Sequence, residues 1–192
     1  KDLKNGEVYF TDLALYKPSY NAPASFVSSP IEQDGERLGT LVIQMPLDKV
    51  TEIMSERSGM GETGETYLIG SDQLMRSDSY LDPKNHSVVS SFRKPTSGGV
   101  NTEASIAAIA GKTGVMEVLD YNNSPVVSAF APVSIGGNQW AILAEKDVAE
   151  AFSPIHELQN SVMIVGGIIF VVILGFGLWL ANSISAPVIN LA

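Results

Sequence analysis

The fold is decided by a segment that occurs twice, NAPASFVSSPIEQDGERLGTLVI at residues 21–43 and NSPVVSAFAPVSIGGNQWAILAE at residues 123–145. The two copies align without a gap and share Asn, Pro, Pro, Gly and Leu at matching positions. Each has the pattern of two β-strands joined by a short turn, at Asp34-Gly35 in the first copy and at Gly136-Gly137 in the second. Because a helical pattern follows each copy, the sequence predicts a duplicated unit of strand, turn, strand and helix.

A further strand is predicted before each copy. VYFTDL (8–13) and GVMEVLDY (114–121) are rich in the β-branched and aromatic residues that strands favour. We expect Asp12 and Asp120 at equivalent ends of these strands, with a longer loop after the first. The first copy thus has at least three strands.

The stretch between the copies predicts two more strands, TYLIG (66–70) and QLMRS (73–77), and a small-residue helix near residues 102–110. Residues 82–99 are rich in Pro, Gly and Ser, which is typical of a loop. The second unit is therefore expected to form a five-stranded antiparallel sheet with helices. The predicted fold class is α+β rather than doubly wound.

The composition excludes several classes of function. Twelve Lys and Arg residues against 21 Asp and Glu give a net charge of −9, which excludes an electrostatic nucleic-acid binder. The chain has no Cys, so disulfides and thiolate metal sites are excluded, and its two His residues leave little for an imidazole metal site or a Ser–His triad. We expect no enzyme activity, no catalytic residues, no metal and no cofactor. A passive adhesion or scaffold domain remains an alternative.

Residues 59–64, GMGETG, match the letters of the dinucleotide fingerprint GxGxxG. In that fingerprint a strand precedes the glycines and a helix follows, whereas here the order is inverted. We therefore interpret these glycines as a tight turn between a helix and a strand.

Residues 162–181, VMIVGGIIFVVILGFGLWLA, contain no ionisable group. A helix of this length spans about 30 Å, which is the thickness of the hydrocarbon core of a bilayer. The sequence thus predicts a transmembrane helix, with a buried core helix as the alternative. Because Lys1 is not Met, we also expect the chain to be part of a longer protein.

Two segments, SGMGETGETYLIGSDQLMRSDS (58–79) and DYNNSPVVSAFAPVSIGGNQWAILAEKDVAEAF (120–152), resemble the membrane-proximal module of double Cache sensor domains of bacterial methyl-accepting chemotaxis proteins. The first copy of the repeat resembles the end of the membrane-distal module, and SISAPVINLA (183–192) resembles the start of a HAMP linker. The basic residue that usually follows the second membrane helix is absent, and Asn182 stands there instead.

The resemblance implies PAS-like Cache modules with antiparallel sheets flanked by helices, followed by one transmembrane helix. The implied boundaries are residues 1–46 for the C-terminal part of the distal module, 47–157 for the proximal module, 158–182 for the transmembrane helix and 183–192 for the linker. The chain would then be the periplasmic sensor region of a chemoreceptor in the bacterial inner membrane. The same sensor on a histidine kinase or a nucleotide cyclase is the alternative.

The resemblance also implies a small-molecule ligand (an amino acid, an amine or an organic acid) and a homodimer. Asp12 resembles the acidic position that holds an amine in amino-acid-binding members, with Tyr9 and Tyr16 able to pack around a ligand. Asp120 and Tyr121 are the expected equivalents in the proximal module. The alternative for the aspartates is a turn that their side chains stabilise.

Three other residues are expected to be structural. Arg76, beside Asp72 and Asp78, is interpreted as part of a solvated or structural ion pair. Tyr67 is predicted to lie in the core, and His86 is predicted to be a surface residue of a polar loop.

Overall fold

The structure, a computed structural model, describes residues 6–189, and for residues 156–157 and 181–189 it describes the backbone alone. The chain divides into two compact units, residues 1–150 and residues 151–192. Residues 1–5 of the expected distal module and residues 190–192 of the expected linker lie outside the described part.

The first unit contains short strands, then a hairpin, then a larger sheet with helices. In chain order its elements are β1 Tyr9–Phe10, β2 Ala14–Tyr16, a 3-10 turn Lys17–Ser19, β3 Ala22–Ala24, β4 Phe26–Gln33, β5 Glu36–Gln44, α1 Leu47–Met54, β6 Glu65–Gly70, α2 Val88–Arg93, α3 Pro95–Gly98, α4 Glu103–Ile109, β7 Gly114–Leu119, β8 Pro125–Ile135 and β9 Asn138–Asp147. Helix α5, Val148–Ile189, begins in the first unit and makes up the described part of the second.

All described strand pairs are antiparallel. The strand orders are β1-β4-β5, β2-β3 and β6-β9-β8-β7, and α4 packs on β8 and β9. This arrangement of antiparallel sheets with separate helices confirms the predicted α+β class.

The two predicted hairpins are present with the same turn. Asp34 and Gly35 have φ of 54° and 83°, and Gly136 and Gly137 have φ of 58° and 86°. Two consecutive residues with positive φ define a turn whose twist matches that of antiparallel strands. A helix follows each hairpin, α1 after the first and α5 after the second, as the repeat predicts.

The expected equivalence of Asp12 and Asp120 is wrong. Leu15 pairs with Pro23, and Leu119 pairs with Pro125, which is the matching position of the second copy. The residue of the first copy that is equivalent to Asp120 is therefore Tyr16. Asp12 instead lies in the break between β1 and β2, because the chain resumes its strand at Ala14. Asp120 therefore follows the end of a strand in the second copy, whereas Asp12 lies in an interruption between two strands of the first copy.

The prediction that QLMRS forms a strand is also wrong, so the main sheet has four strands instead of the expected five. Met75 forms only an isolated bridge with Ile69. The N–H of Arg76 donates to the carbonyl of Leu68 and the N–H of Gly70 to that of Leu74. Side chains complete the pairing, since the Ser77 hydroxyl accepts from the N–H of Leu68 and the Ser91 hydroxyl accepts from the N–H of Met75.

The expected loop over residues 82–99 contains the helices α2 and α3. Ser87 caps α2 by accepting a hydrogen bond from the N–H of Ser90, and Pro95 opens α3, where its missing N–H costs nothing. The predicted helix near residues 102–110 is confirmed as α4, with Thr102 and Ser105 forming a capping box.

The turn at residues 59–64 lies between α1 and β6, as predicted. Gly59 and Gly61 have φ of 80° and 77°, which favours glycine. A Cβ on Gly61 would lie 1.8 Å from Oε1 of Glu150. Gly59 therefore serves the conformation of the turn, and Gly61 also lets the turn pack against the start of α5.

The core of the first unit lies on both faces of the four-stranded sheet. Tyr67 and Trp140 are fully buried, which confirms the prediction for Tyr67, and Phe10 packs edge-on against the Trp140 ring. The remaining fully buried apolar residues are Ile69, Met75, Val100, Ala104, Ala108, Ala141 and Leu143.

Arg76 is buried rather than solvated, with 1% of its side chain exposed. Its Nε and Nη2 donate to the two oxygens of Asp12 at 2.9 Å, and Nη2 also donates to Asp72 at 3.1 Å. The expected pair with Asp72 is confirmed, whereas Asp78 accepts from the N–H of Val88. The partner that sequence reasoning missed is Asp12.

Gly70 makes room for the Arg76 guanidinium. A Cβ at this position would lie 2.1 Å from Nη2 of Arg76, so the flat cation rests directly on the backbone of β6. The indole N–H of Trp140 also donates to Asp12, at 2.9 Å. The Asp12–Arg76 pair therefore joins the N-terminal strands to β6 and β9.

Helix α5 is continuous through Pro154. The segment Val148–Leu180 is long and apolar enough to cross a membrane. In the described chain, the apolar side chains of residues 162–180 are exposed. This agrees with the predicted long apolar C-terminal helix.

We predict that Asp12→Ala lowers the free energy of unfolding by about 2–3 kcal/mol, because the Arg76 guanidinium stays buried after losing its bidentate acceptor. Urea titration of the full chain in detergent measures this loss. Glu36→Ala, which removes an exposed carboxylate from β5, is the matched control. Equal loss in the two variants would contradict the structural role of Asp12.

Candidate functional site

Two buried carboxyl groups face each other across strands β6 and β9. Glu65 pairs directly with Glu145 in the antiparallel register, and each is 3% exposed. Directly opposed residues point to the same face of a sheet, and Tyr67 shares that face because it follows Glu65 by two positions. The sheet thus buries a polar cluster on this face.

Glu65 has enough donors for both of its oxygens. The hydroxyl of Tyr121 donates to Oε1, and Oε2 accepts from the Ser79 hydroxyl at 2.7 Å and from the N–H groups of Tyr80 and Leu81 at 3.0 and 3.2 Å. Both oxygens of this buried carboxyl group therefore have hydrogen-bond donors.

Glu145 has fewer donors. It accepts from the hydroxyls of Tyr67 and Ser128, each at 2.8 Å. Burial raises the pKa of Glu145 to about 7, with the negative charges of Asp120 and Glu65 adding to this effect and the two hydrogen bonds opposing it. Burial and the Glu145 carboxyl likewise raise the pKa of the Tyr67 hydroxyl.

Tyr121 connects this buried cluster to the surface. Its ring lies 4.0 Å from that of His86, centroid to centroid, and it makes an edge contact with Tyr67. His86 is 4% exposed, and its Nδ1 lies 3.0 Å from Oδ2 of Asp82. The prediction that His86 is a surface residue is wrong, because the Tyr121 ring and the Asp82 carboxylate enclose the imidazole.

Two cavities open beside Tyr121, each of about 430 Å³. The first cavity, which we call the α2–α3 cavity, is lined by Asp82, Lys84, Asn85, His86, Ser90, Arg93, Lys94, Ser97, Tyr121 and Asn122. The second cavity is lined mainly by residues that lie between Thr96 and Glu103 in the sequence, and by the end of β7 together with Asp120 and Tyr121. Cavities of this volume suit small organic molecules.

The structure separates the predicted site residues into two groups. Asp120 and Tyr121 lie together at the cavities, where Oδ1 of Asp120 also accepts from the N–H groups of Asn122 and Ser124 and so stabilises the turn. Asp12 is engaged by Arg76 and Trp140.

Tyr9 and Tyr16 belong to the N-terminal strands and do not line either cavity. Tyr9 is 38% exposed on β1. The ring of Tyr16 makes an edge contact with Phe26 at 5.0 Å.

The two groups lie on different faces of the main sheet. Trp140, which contacts Asp12, and Glu145 are an odd number of residues apart on β9, so their side chains point to opposite faces. They are also about 17 Å apart along the strand at roughly 3.3 Å per residue. Asp12 and Tyr121 therefore cannot contact one ligand of ordinary size.

Sequence reasoning missed Glu65, Glu145 and the cations of the α2–α3 cavity. The alternation of Glu65 and Tyr67 on a strand, with Ser128 at an inward position of β8, is the pattern that marks a buried polar face. It was obscured because each glutamate adjoins a polar residue in the sequence, Thr66 or Lys146, so neither looks like a buried group. In the described part of the chain, no group of three or more His, Cys, Asp or Glu residues is placed to hold a metal ion.

No family model and no curated protein matches this chain. Its fold does match solved sensory domains. For the periplasmic sensory domain of the Campylobacter jejuni chemoreceptor Tlp1 the TM-score is 0.55 at 17% identity, covering 78% of this chain and 52% of that chain. For the ligand-binding domain of the Pseudomonas aeruginosa amino acid chemoreceptor PctB in complex with L-Arg the TM-score is 0.50 at 20% identity, covering 81% and 56%.

The extracellular domain of mmHK1S-Z3, described as a histidine kinase, matches with a TM-score of 0.52 at 20% identity, covering 79% of this chain and 53% of that chain. The fold is therefore the one found in sensory ligand-binding domains of chemoreceptors and histidine kinases. The chain spans somewhat more than half the length of the domains it matches.

We predict that ionisation of Glu145 makes the protein less stable between about pH 4.5 and about pH 7. The folded state holds the Glu145 proton up to about pH 7, whereas the unfolded chain releases it near 4.5, so the free energy of unfolding falls as the pH rises through this window. The expected fall is about 3 kcal/mol. Urea unfolding at about pH 5 and about pH 8 measures it.

Glu145→Gln should flatten this pH dependence, because the amide cannot ionise and Ser128 can turn its hydroxyl to accept. Glu117→Gln, on the exposed side of β7, should leave it unchanged. A parent protein as stable at the higher pH as at the lower one would rule out a carboxyl that folding keeps protonated.

Proposed function

We propose that this chain is the ligand-sensing and transmembrane signalling segment of a bacterial chemoreceptor. The observation that carries the proposal is the direct junction between the candidate site and the long apolar helix. Glu145 belongs to the buried cluster, β9 ends two residues later at Asp147, and α5 begins at Val148. A change at the site thus reaches the start of α5 through continuous regular structure.

The junction is also hydrogen-bonded within the first unit. The N–H of Asp147 donates to the Thr63 hydroxyl at 3.2 Å. Glu150 accepts from the N–H groups of Glu62 and Thr63 and from the Thr63 hydroxyl. These contacts leave little slack between β9 and the first turn of α5, which favours transmission of small displacements.

The proposed ligand site is the α2–α3 cavity with Tyr121 and Asp120 beside it. Neighbours of the fold are solved with small molecules, such as PctB with L-Arg, which supports a small metabolite as the ligand class. Asp12, Tyr9 and Tyr16 would belong to a second site only in a complete distal module. The bidentate pair with Arg76 already occupies the Asp12 carboxylate and weakens its case as an amine anchor.

The proposed module boundaries remain residues 1–46, 47–157, 158–182 and 183–192. Strand β5 supports the first boundary, because Leu41 and Val42, which point to opposite faces, are both exposed. A strand with apolar residues exposed on both faces is typical of a sheet that is completed by further structure.

We propose an inner-membrane location with a periplasmic sensor and α5 as the membrane-spanning helix, acting in a homodimer. The same sensor on a histidine kinase is the second candidate, because mmHK1S-Z3 shares the fold. A nucleotide cyclase output stays a further alternative. The identity of the output domain would distinguish the chemoreceptor, the histidine kinase and the nucleotide cyclase.

We predict that a small metabolite protects the full chain against thermal unfolding. A panel of amino acids, amines and organic acids, tested on detergent-purified protein, should contain a compound that raises the unfolding midpoint in a saturable way, because a ligand that binds only the folded state stabilises it by mass action. Heat-denatured and refolded protein serves as the control for non-specific effects. A panel with no protective compound would count against the sensor proposal.

We also predict that inserting three or four glycines between residues 157 and 162 uncouples ligand binding from output. Glycine disfavours the helix, so the insertion should interrupt α5 without altering the cavity. In a complete receptor, ligand affinity should stay unchanged while the response at saturating ligand is lost. An alanine insertion of the same length separates loss of helical continuity from change of helical phase. Normal signalling by the glycine variant would overturn transmission through a rigid helix.

A further inference from the structure

The α2–α3 cavity carries a charge opposite to that of the chain. Lys84, Arg93 and Lys94 all line it, whereas the whole sequence has a net charge of −9. One carboxylate, that of Asp82, lies among the lining residues. A locally basic cavity on an acidic protein focuses anions against the field of the rest of the molecule.

These three cations have no ion-pair partner among the side chains that the structure describes, those of residues 6–155 and 158–180. Three other basic residues do have one, since Lys49 pairs with Glu52, Arg76 with Asp12 and Lys146 with Glu150. The cations of the cavity therefore keep their charge available for a ligand.

The Asp82 carboxylate is already occupied. Both of its oxygens accept from the Asn85 side-chain amide, at 3.0 and 3.1 Å, and Oδ2 lies 3.0 Å from Nδ1 of His86. It fixes the loop and the imidazole, and it offers little to a ligand ammonium group.

The helix corner that holds two of the cations is rigid. The N–H groups of Ser97 and Gly98 donate to the carbonyl of Lys94. The N–H of Lys94 in turn donates to the carbonyl of Ser90. A Cβ on Gly98 would lie 2.9 Å from Cα of Ser91, so α2 and α3 pack backbone to backbone. The corner thus holds Arg93 and Lys94 at a fixed place beside the cavity, which lowers the entropy lost when a ligand binds.

The remaining lining suits an organic ligand rather than a bare inorganic ion. The rings of His86 and Tyr121 lie 4.0 Å apart, tilted by 33°, and form an aromatic wall against which a carbon skeleton can pack, and Ser97 and Asn122 can donate hydrogen bonds. Arg presents paired N–H groups that match a carboxylate.

We propose that the α2–α3 cavity binds a small organic anion bearing one or more carboxylates, with Arg93 and Lys94 as its charge partners. This assignment rests on the proposed sensor function and names the ligand class of that site. It places recognition in the part of the chain that follows α1, at a distance from Asp12.

The test uses the full chain in detergent, with succinate and citrate as probes and sodium chloride at matched ionic strength as the reference. Thermal unfolding and calorimetry should show saturable binding of at least one of the two carboxylates. Arg93→Gln and Lys94→Gln should each weaken that binding at least about tenfold, the loss expected from one charge-assisted hydrogen bond. Lys112→Gln removes the same charge from an exposed turn outside the cavity and should leave affinity unchanged.

Several results would overturn the assignment. Equal effects of chloride and carboxylate, protection by inorganic phosphate alone, or parental affinity in both cavity variants would each do so. Protection by an amine such as putrescine that persists in Arg93→Gln would overturn the anion assignment and leave the sensor proposal standing. A lack of protection by any class of metabolite would overturn both.

Discussion

The buried guanidinium of Arg76 is the constraint on which the rest of the first unit depends. A cation removed from water is tolerated only if acceptors surround it, and here Asp12, Asp72 and the carbonyl of Leu74 provide them. Asp12 comes from the break between β1 and β2, so the charge requirement fixes the N-terminal strands onto the main sheet. Phe10 then reaches Trp140 and the Gly136 turn, where a Cβ would lie 2.2 Å from the Phe10 side chain.

Ionisable side chains are buried on both faces of the main sheet, but the groups that surround them differ between the two faces. On one face the Arg76 cation is paired with the carboxylates of Asp12 and Asp72. On the other, Glu65 and Glu145 lie opposite each other with only hydroxyl and N–H donors, and burial, with the charges of Asp120 and Glu65 adding to it, raises the pKa of Glu145 to about 7. The second arrangement responds readily to a change of charge nearby, and Tyr121 connects it to both cavities. The buried cluster and the two cavities therefore share the Tyr121 side chain.

Local chemistry made part of this fold predictable from sequence. The two-residue turns at Asp34-Gly35 and Gly136-Gly137 need positive φ, and the residues that allow it are visible in the sequence. The apolar run of α5 and the capping of α4 are equally local. Apart from the helices α2 and α3, whose signals are local, the errors concern residues whose partners are distant in sequence. Asp12 looked like a strand end because Arg76, 64 residues away, was not visible as its partner.

The candidate site was predictable only in part for the same reason. Asp120 and Tyr121 were predicted as equivalents of Asp12, and although that equivalence is wrong, both residues line a cavity. His86 was assigned to the surface because its polar neighbours suggest a loop, and the Tyr121 ring that covers it arrives from β7. Glu65 and Glu145 come together only through strand register, and no short sequence pattern encodes that pairing.

The glycine-rich segment at residues 59–64 shows how a misleading motif can still indicate its chemistry. Its letters suggest a loop that binds phosphate through backbone N–H groups. The N–H groups of Glu62 and Thr63 do bind an anion, but it is the Glu150 carboxylate of the same chain. Hydrogen bonds from the Thr63 hydroxyl and from these N–H groups lower the pKa of Glu150 to about 2. The turn before β6 thereby holds the first turn of α5, so β6 and β9 meet the start of the helix as one hydrogen-bonded assembly. Gly61 is explained by its closeness to the Glu150 side chain rather than to a nucleotide.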